Sequence, residues 1–370
     1  MKRLIILAAT LIAGLSACDS LLDKEPLDRV TQFDYFKTRS DLELFSNPFY
    51  DNLLDKTPYD EQNDLLVQMT LSDVLYGGDK RTVPNTGGGW SWGNLRRINT
   101  LLEYVDQCED KKAVTEYTAL AKFFRAAFYF DKVKRFGDVP WYEVQLGSAD
   151  EALYKPRDSR ELIMTNMIKD IDEAINSGGL TEDISTYRVN KWAALALKAR
   201  FCLFEGTYRK YHRVDPSTGK AWDPEYNKDN KWLREAADAC EELMEAGVYS
   251  LVNSPADVAT QYRSLFTSPS VLKQEVMWAR EYNDEKNVRH DVTWYFTSGS
   301  MGQGWSLDAD FVYTYLNRDG SRFTDRADYK STTYAEQFEN RDYRLQQTVI
   351  SPEYRKLVGG TSKLFAPTSR

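Results

Sequence analysis

One long amphipathic run constrains the fold more than any other feature of this chain. From Thr115 to Phe136, the residues Leu120, Phe123, Phe124, Ala127, Phe130 and Val133 recur at helical spacing and make a wide apolar face. Gly137 and then Pro140 stop the run. So wide an apolar face must be covered by other elements, and its neighbours are written in the same period. Ser40 to Leu54 reads as a first helix capped by Ser40 or Asp41, and Asn94 to Gln107 as a second. Asp158-Ser159-Arg160-Glu161 offers capping chemistry ahead of Leu162, Ile168, Ile171 and Ile175, and Gly178-Gly179 closes that helix. Asn190 caps Lys191 to Glu205, where Ala193, Ala194, Ala196 and Ala199 permit close helix approach. Trp232 to Ala246 repeats the pattern and ends at Gly247. Helices in consecutive pairs, with small residues at the crossings, point to tetratricopeptide-like stacking, although the strict repeat signature is absent. Val276-Met277-Trp278-Ala279 reads as a strand, and 181–187, 214–230 and 283–304 read as loops. The expected fold class is therefore mainly α: a tetratricopeptide-like helical core with irregular loops and a few short strands.

The first eighteen residues, MKRLIILAATLIAGLSAC, have another purpose. A cationic head at Lys2 and Arg3 precedes an apolar run from Leu4 to about Leu15, and small residues lead into Cys18. The run is too short to span a bilayer and reads as a secretory leader. Leu15-Ser16-Ala17-Cys18 resembles a bacterial lipobox, in which the cysteine is lipidated and becomes the mature N-terminus. Each buried CH₂ contributes roughly 0.8 kcal/mol, so one acyl chain holds weakly and several hold stably. Removing Lys2 and Arg3 with the leader takes the formal charge of −8 to −10. That acidity argues against nucleic acid, whose phosphates need clustered Lys and Arg.

Aromatic residues make up 13% of the chain, most of them expected to fill a helical core. The 2 histidines, His212 and His290, lie far apart and lack metal-site spacing. Cys108, Cys202 and Cys240 show no C-x-x-C spacing, so neither zinc nor a disulfide framework is favoured. Cys202 and Cys240 fall in apolar-periodic helices and read as small buried hydrophobes. No metal or cofactor is expected.

Four blocks then share one resemblance. Ala121-Lys122-Phe123-Phe124-Arg125-Ala126-Ala127-Phe128-Tyr129-Phe130 with Arg135-Phe136-Gly137-Asp138-Val139-Pro140 resembles the most recognisable block of the SusD/RagB family, nutrient-uptake lipoproteins of the Bacteroidetes outer membrane. Cys18-Asp19-Ser20-Leu21-Leu22-Asp23 with Glu25-Pro26 is similar to the family's mature N-terminus. Asp170 to Ile175, then Arg188 to Arg200, is similar to its middle helical pair. Glu275-Val276-Met277-Trp278 with Asn287 is similar to the entry into its C-terminal part. The blocks run in the family's order over about residues 18 to 350. The family's late R-x-A-E-x-L-L-x-x-A-E-A segment has no counterpart after Ile350, so the chain is expected to stop short of a full member. The expected organisation is a lipoprotein leader at 1–17, an N-terminal SusD-like helical region at 18–270 and the start of a C-terminal SusD/RagB region at 271–370.

The resemblance implies a surface-exposed outer-membrane lipoprotein, anchored at Cys18, that binds oligosaccharide or another nutrient. It also implies a SusC-like TonB-dependent transporter as partner, and no enzymatic activity. Sugar recognition needs flat aromatic faces and polar side chains that orient hydroxyls. Two loop stretches have that character. One holds Asp73, Arg81 and the Gly87-Gly88-Gly89-Trp90-Ser91-Trp92-Gly93-Asn94 run; the other holds Trp294, Tyr295 and Trp305 among glycines. By resemblance to starch-binding members, Asp73, Arg81, Trp92 and Asn94 are the candidate polar and aromatic contacts. A Trp just before a helix also serves as a staple on that helix, which is the structural alternative for Trp90, Trp92 and Trp305. The rival functions are glycoside hydrolysis, which needs two carboxylates roughly 5–9.5 Å apart, and a helical-repeat scaffold that binds only proteins.

Overall fold

The computed structural model describes residues 35–53, 63–67, 85–292, 305–358 and 361–364. The leader, Cys18, Asp73, Arg81, Trp294 and Tyr295 lie outside the described residues. Among those described, no helix is long and apolar enough to cross a membrane.

Six helices carry the architecture: α1 Arg39–Leu53, α2 Gly93–Tyr104, α3 Lys111–Phe136, α4 Arg160–Asn176, α5 Lys191–Tyr211 and α6 Lys231–Glu245. Their ends follow the local chemistry. Thr38 and Asp41 open α1 reciprocally: the Thr38 amide donates to Asp41 Oδ2 at 2.8 Å, and the Asp41 amide donates to Thr38 Oγ1 at 3.3 Å. The cap is thus Thr38, with Asp41 answering from the third helical position. Asp110 accepts from the amides of Lys112 and Ala113, so α3 starts four residues before the apolar periodicity does. Ser159 and Asn190 cap α4 and α5 as their sequence contexts require. Gly137 ends α3 at φ +68°, a conformation glycine adopts without strain.

The helices pack in pairs. α1, α2 and α4 lie on α3, α5 lies on α4, and α6 runs along α5. This is tetratricopeptide-like stacking, with α3 as its centre. Phe123, Phe124, Tyr129 and Val133 of α3 share one buried core with Ile163, Met164, Met167 and Ile171 of α4 and Phe201 and Cys202 of α5. Gly206 of α5 lets α6 come close: a Cβ there would stand 2.5 Å from Leu233 of α6. Charged side chains cross the α4–α5 seam. Arg160 of α4 donates to both Glu205 carboxylate oxygens at 2.8 and 3.0 Å, and Arg209 adds a third bond at 2.8 Å. All three residues are buried. Arg125 of α3 likewise grips Asp170 of α4 with two bonds, at 2.6 and 2.7 Å.

Cys240 departs from its expected place. The buried seam of α6 runs through Trp232, Ala236 and Ala239, and Cys240 faces outward, exposed. Val276 to Ala279 is not a strand. Trp278 sits edge-on to Tyr50 and Phe123 instead, so the apolar run covers the helical core rather than pairing with another strand.

The described strands are short. β1 Leu66–Val67 pairs antiparallel with β2 Ser306–Leu307, and β3 Arg355–Val358 pairs with β4 Thr361–Leu364. The helix that follows Trp305 is short, Ala309–Tyr313, and starts after β2. Arg341 organises this region. It is 2% exposed, donates to the carbonyls of Val312 and Tyr315, and lies 3.8 Å over the Phe323 ring.

Candidate ligand-binding cleft

The cleft begins with two glycines that turn the chain onto α3. Gly87 and Gly89 have φ of +73° and +79°, values that L side chains rarely adopt. The Lys132 ammonium of α3 donates to the Gly89 carbonyl at 2.7 Å, and a Cβ at Gly89 would stand 3.0 Å from Arg135 Nε. The loop is thereby held down, and Trp90 and Trp92 arrive together at the N-terminus of α2.

The two tryptophans have different surroundings. Trp92 is half-buried among Phe128, Tyr129 and Tyr142, with ring centroids 5.7, 6.3 and 5.8 Å away. Its carbonyl accepts from the Arg96 amide, so it also starts α2, in keeping with a staple. Trp90 stands edge-to-face on Trp92 at 5.1 Å and on Phe136 at 4.9 Å, yet remains 44% exposed. The Arg157 guanidinium lies 4.8 Å over the Trp90 ring.

Together they wall a cleft of about 410 Å³. Leu95, Tyr142, Val144 and Leu146 supply its apolar lining, and Arg96, Lys155 and Arg157 its charged lining; among the described residues, no Asp or Glu lines it. Asn99, in the floor, is committed internally. Its amide nitrogen donates to the carbonyls of Tyr142 and Val144 at 2.9 and 3.1 Å, which fixes the 142–146 wall to α2. Lys155 is committed too: it donates to the Trp141 carbonyl at 2.7 Å and pairs with Asp158 at 2.8 Å.

Two further cavities border these elements. A smaller one, about 140 Å³, is lined by Phe49, Ser91, Asn94, Phe128, Asp131 and Lys132. Burial pushes the Lys132 ammonium pKa down, and the ammonium stands 4.9 Å over Phe128. A polar one of about 490 Å³ lies between α3 and α4. Its charges answer one another, Arg125 to Asp170 and Lys122 to Glu173.

The sequence candidates therefore separate. Trp90 and Trp92 meet in the aromatic cleft, whereas Asn94 faces the neighbouring cavity. Trp305 is buried, 8% exposed, and presents no open ring. Sequence reasoning missed Arg96, Tyr142, Val144 and Arg157. The signal for Tyr142 was the Pro140-Trp141-Tyr142 run directly after the stop of α3; the arginines carried none. His212 packs on Tyr208 and His290 on Tyr282, in separate places. Among the described residues, no group of three His, Cys, Asp or Glu side chains is placed to hold a metal ion.

Comparison with known proteins adds identity of kind. Residues 35–197 match a family model described as starch-binding and associating with the outer membrane, and residues 274–364 match the SusD family model. A SusD-like protein of Formosa agariphila is 20% identical over 332 residues, spanning 83% of this chain and 56% of that one. A SusD-like protein of Bacteroides ovatus is 22% identical over 296 residues, spanning 76% and 50%. The chain thus spans about half the length of the curated relatives it matches. Among solved structures, a SusD-like carbohydrate-binding protein of Bacteroides fragilis superposes with a TM-score of 0.64 at 19% identity, covering 89% of this chain and 62% of that one. A second SusD-like protein from the same species gives 0.64 at 17% identity, covering 90% and 64%.

Proposed function

Starting from the fact that this chain belongs to the SusD/RagB family, we propose that it binds an oligosaccharide in the Trp90–Trp92 cleft and hands it to a SusC-like TonB-dependent transporter. The observation that carries the reading is Trp90. An aromatic ring 44% exposed, braced on two other rings at the wall of a 410 Å³ cleft, is a platform for the C–H face of a sugar. Its brace keeps it in place without ligand, so little ordering entropy is lost on binding. Arg96 and Arg157 supply donors beside it. The family's carbohydrate-binding character and the carbohydrate-binding structural neighbour support the ligand class.

Among the described residues no carboxylate lines the cleft, whereas hydrolysis needs two, which favours binding over hydrolysis as the reading of this cleft. A scaffold that binds only proteins would not require the exposed ring to face a concave cleft. We take Asp73, Arg81, Trp294 and Tyr295 as further candidate contacts, and Asn94 as a contact on the neighbouring cavity.

The test is Trp90→Ala, assayed against an oligosaccharide panel and by thermal melting. Loss of an aromatic anchor is expected to cost about 2 kcal/mol or more of binding, with an unchanged melt. Unchanged affinity removes Trp90 from the site. The anchor has its own test. Lipidation at Cys18 predicts that Cys18→Ala releases the protein from the membrane fraction or leaves it unprocessed. Retention in the membrane with the leader removed would refute it. The transporter predicts recovery of a large β-barrel with this protein from gently solubilised outer membrane at native expression.

A further inference from the structure

We infer that the cleft selects an anionic glycan, one bearing a carboxylate or a sulfate ester, through Arg96 and Arg157; the inference rests on the oligosaccharide reading above. The chain is acidic, with a formal charge of −8, yet the charged side chains lining this cleft are all cations. Arginines that bridge the helices are matched to carboxylates: Arg39 to Asp110 and Glu116, Arg125 to Asp170, Arg160 to Glu205, Arg188 to Glu43. Among the described residues, Arg96 and Arg157 have no carboxylate partner. Lys155 is discounted, because Asp158 already neutralises it.

The two guanidinium groups are also placed to act. Both line the cleft that Trp90 walls, and the Arg157 guanidinium lies 4.8 Å from the centre of that ring. A guanidinium without a carboxylate partner has a fork of N–H donors to offer, the one that matches a carboxylate or sulfate ester. A neutral sugar ring uses the Trp90 face and gains ordinary hydrogen bonds from the arginines. An acidic one uses the same face and places its charge against the fork, where charge-assisted bonds are stronger. Among the described residues, no carboxylate in the lining repels an anion.

The experiment compares matched pairs by calorimetry on the full chain. Oligogalacturonate is set against its methyl ester, and a sulfated galactan oligosaccharide against the desulfated form. The expected result is that at least one charged member binds about tenfold or more tighter than its neutral partner, and which pair discriminates tells carboxylate from sulfate. That preference should shrink as NaCl rises from about 50 mM to about 500 mM. It should vanish in an Arg96→Gln/Arg157→Gln double variant, weaken in the corresponding lysine variants, which keep the charge and lose the fork, and persist in Arg213→Gln, an exposed arginine outside the cleft lining. Both arginines are exposed, so a melt is expected to stay unchanged. Neutral members bound as tightly as charged ones overturn the inference and leave the oligosaccharide reading standing. A charge preference that survives the double variant overturns it as well. Binding of none of the four glycans overturns both.

Discussion

Trp90 and Trp92 lie two residues apart, and their surroundings give them opposite sensitivities. Trp92→Ala removes a ring packed on Phe128, Tyr129 and Tyr142. Full loss of a core aromatic costs roughly 3–5 kcal/mol, so a half-buried one is expected to cost about 2 kcal/mol and lower the melting temperature visibly. Trp90→Ala should leave that melt alone. Thiol chemistry gives a second residue-level check. Cys108 and Cys202 are buried, and burial pushes the Cys202 thiol pKa well up, whereas Cys240 is exposed. Of these three, only Cys240 is expected to react with a maleimide in the native protein, read by peptide mass mapping; labelling of Cys202 without denaturant would contradict the packing. Both tryptophans of the cleft were legible in the sequence as glycine-flanked loop aromatics. The exposure that distinguishes them was not, because it is set by Phe136 and by the 140–157 segment, which fold onto them from elsewhere. Trp305 shows the same limit: its local sequence matches that of a free loop aromatic, but its surroundings bury it.

Helices were read more fully than sites, because their signals are local. Apolar period, Ser159, Asn190 and Gly137 fixed α4, α5 and the end of α3 without reference to any distant residue. The errors came where tertiary contacts decide. α5 continues past Glu205 to Tyr211 because Arg209 must reach Glu205 and Glu161. The segment around Trp278 forgoes strand pairing because the helical core takes its ring. The ion network at the α4–α5 seam was also hidden, its partners Arg160 and Glu205 being 45 residues apart. Removing one member of a buried network strands the others. Glu205→Ala is therefore expected to cost about 3–5 kcal/mol in urea unfolding, while Glu205→Gln, which keeps hydrogen-bond capacity, should cost less. A small effect from the alanine variant would mean that the two arginines find water. Gly179 gives an independent element-level test. A Cβ there would lie 2.4 Å from the Thr115 carbonyl, a backbone atom. Gly179→Ala should separate the end of α4 from α3 and cost at least about 2 kcal/mol.

For the molecule as a whole, the buried phenols set an alkaline limit. Burial raises the Tyr117 pKa to about 12 and those of Tyr129 and Tyr142 above the ordinary value. A phenol whose folded pKa exceeds its unfolded value of about 10 favours folding fully below pH 10. That contribution is lost as pH rises from about 10 through about 12. Carboxylates set the acid limit with the opposite sign. The Thr38 hydroxyl lowers Asp41, and the Ala113 amide with Arg39 lowers Asp110, so their contributions hold above the unfolded value of about 3.9 and fade as pH falls below it. The melting temperature is expected to be flat between these edges and to fall beyond each. A melt insensitive to pH between about 10 and 12 would show that the phenols are solvated.

The β1–β2 ladder has a consequence in time. Leu66 pairs with Leu307 and Val67 with Ser306, so the two halves of this ladder are roughly 240 residues apart, which at about 5–20 residues per second separates their synthesis by about 12 to 48 s. The helices from α1 to α6 all lie between or before those halves and form from nearby sequence, on far shorter timescales. A chain that docks its helices first therefore leaves Leu66 and Val67 unpaired until Ser306 and Leu307 reach them. During that interval the two-residue strand is an open edge, its shortness the main protection against a wrong partner.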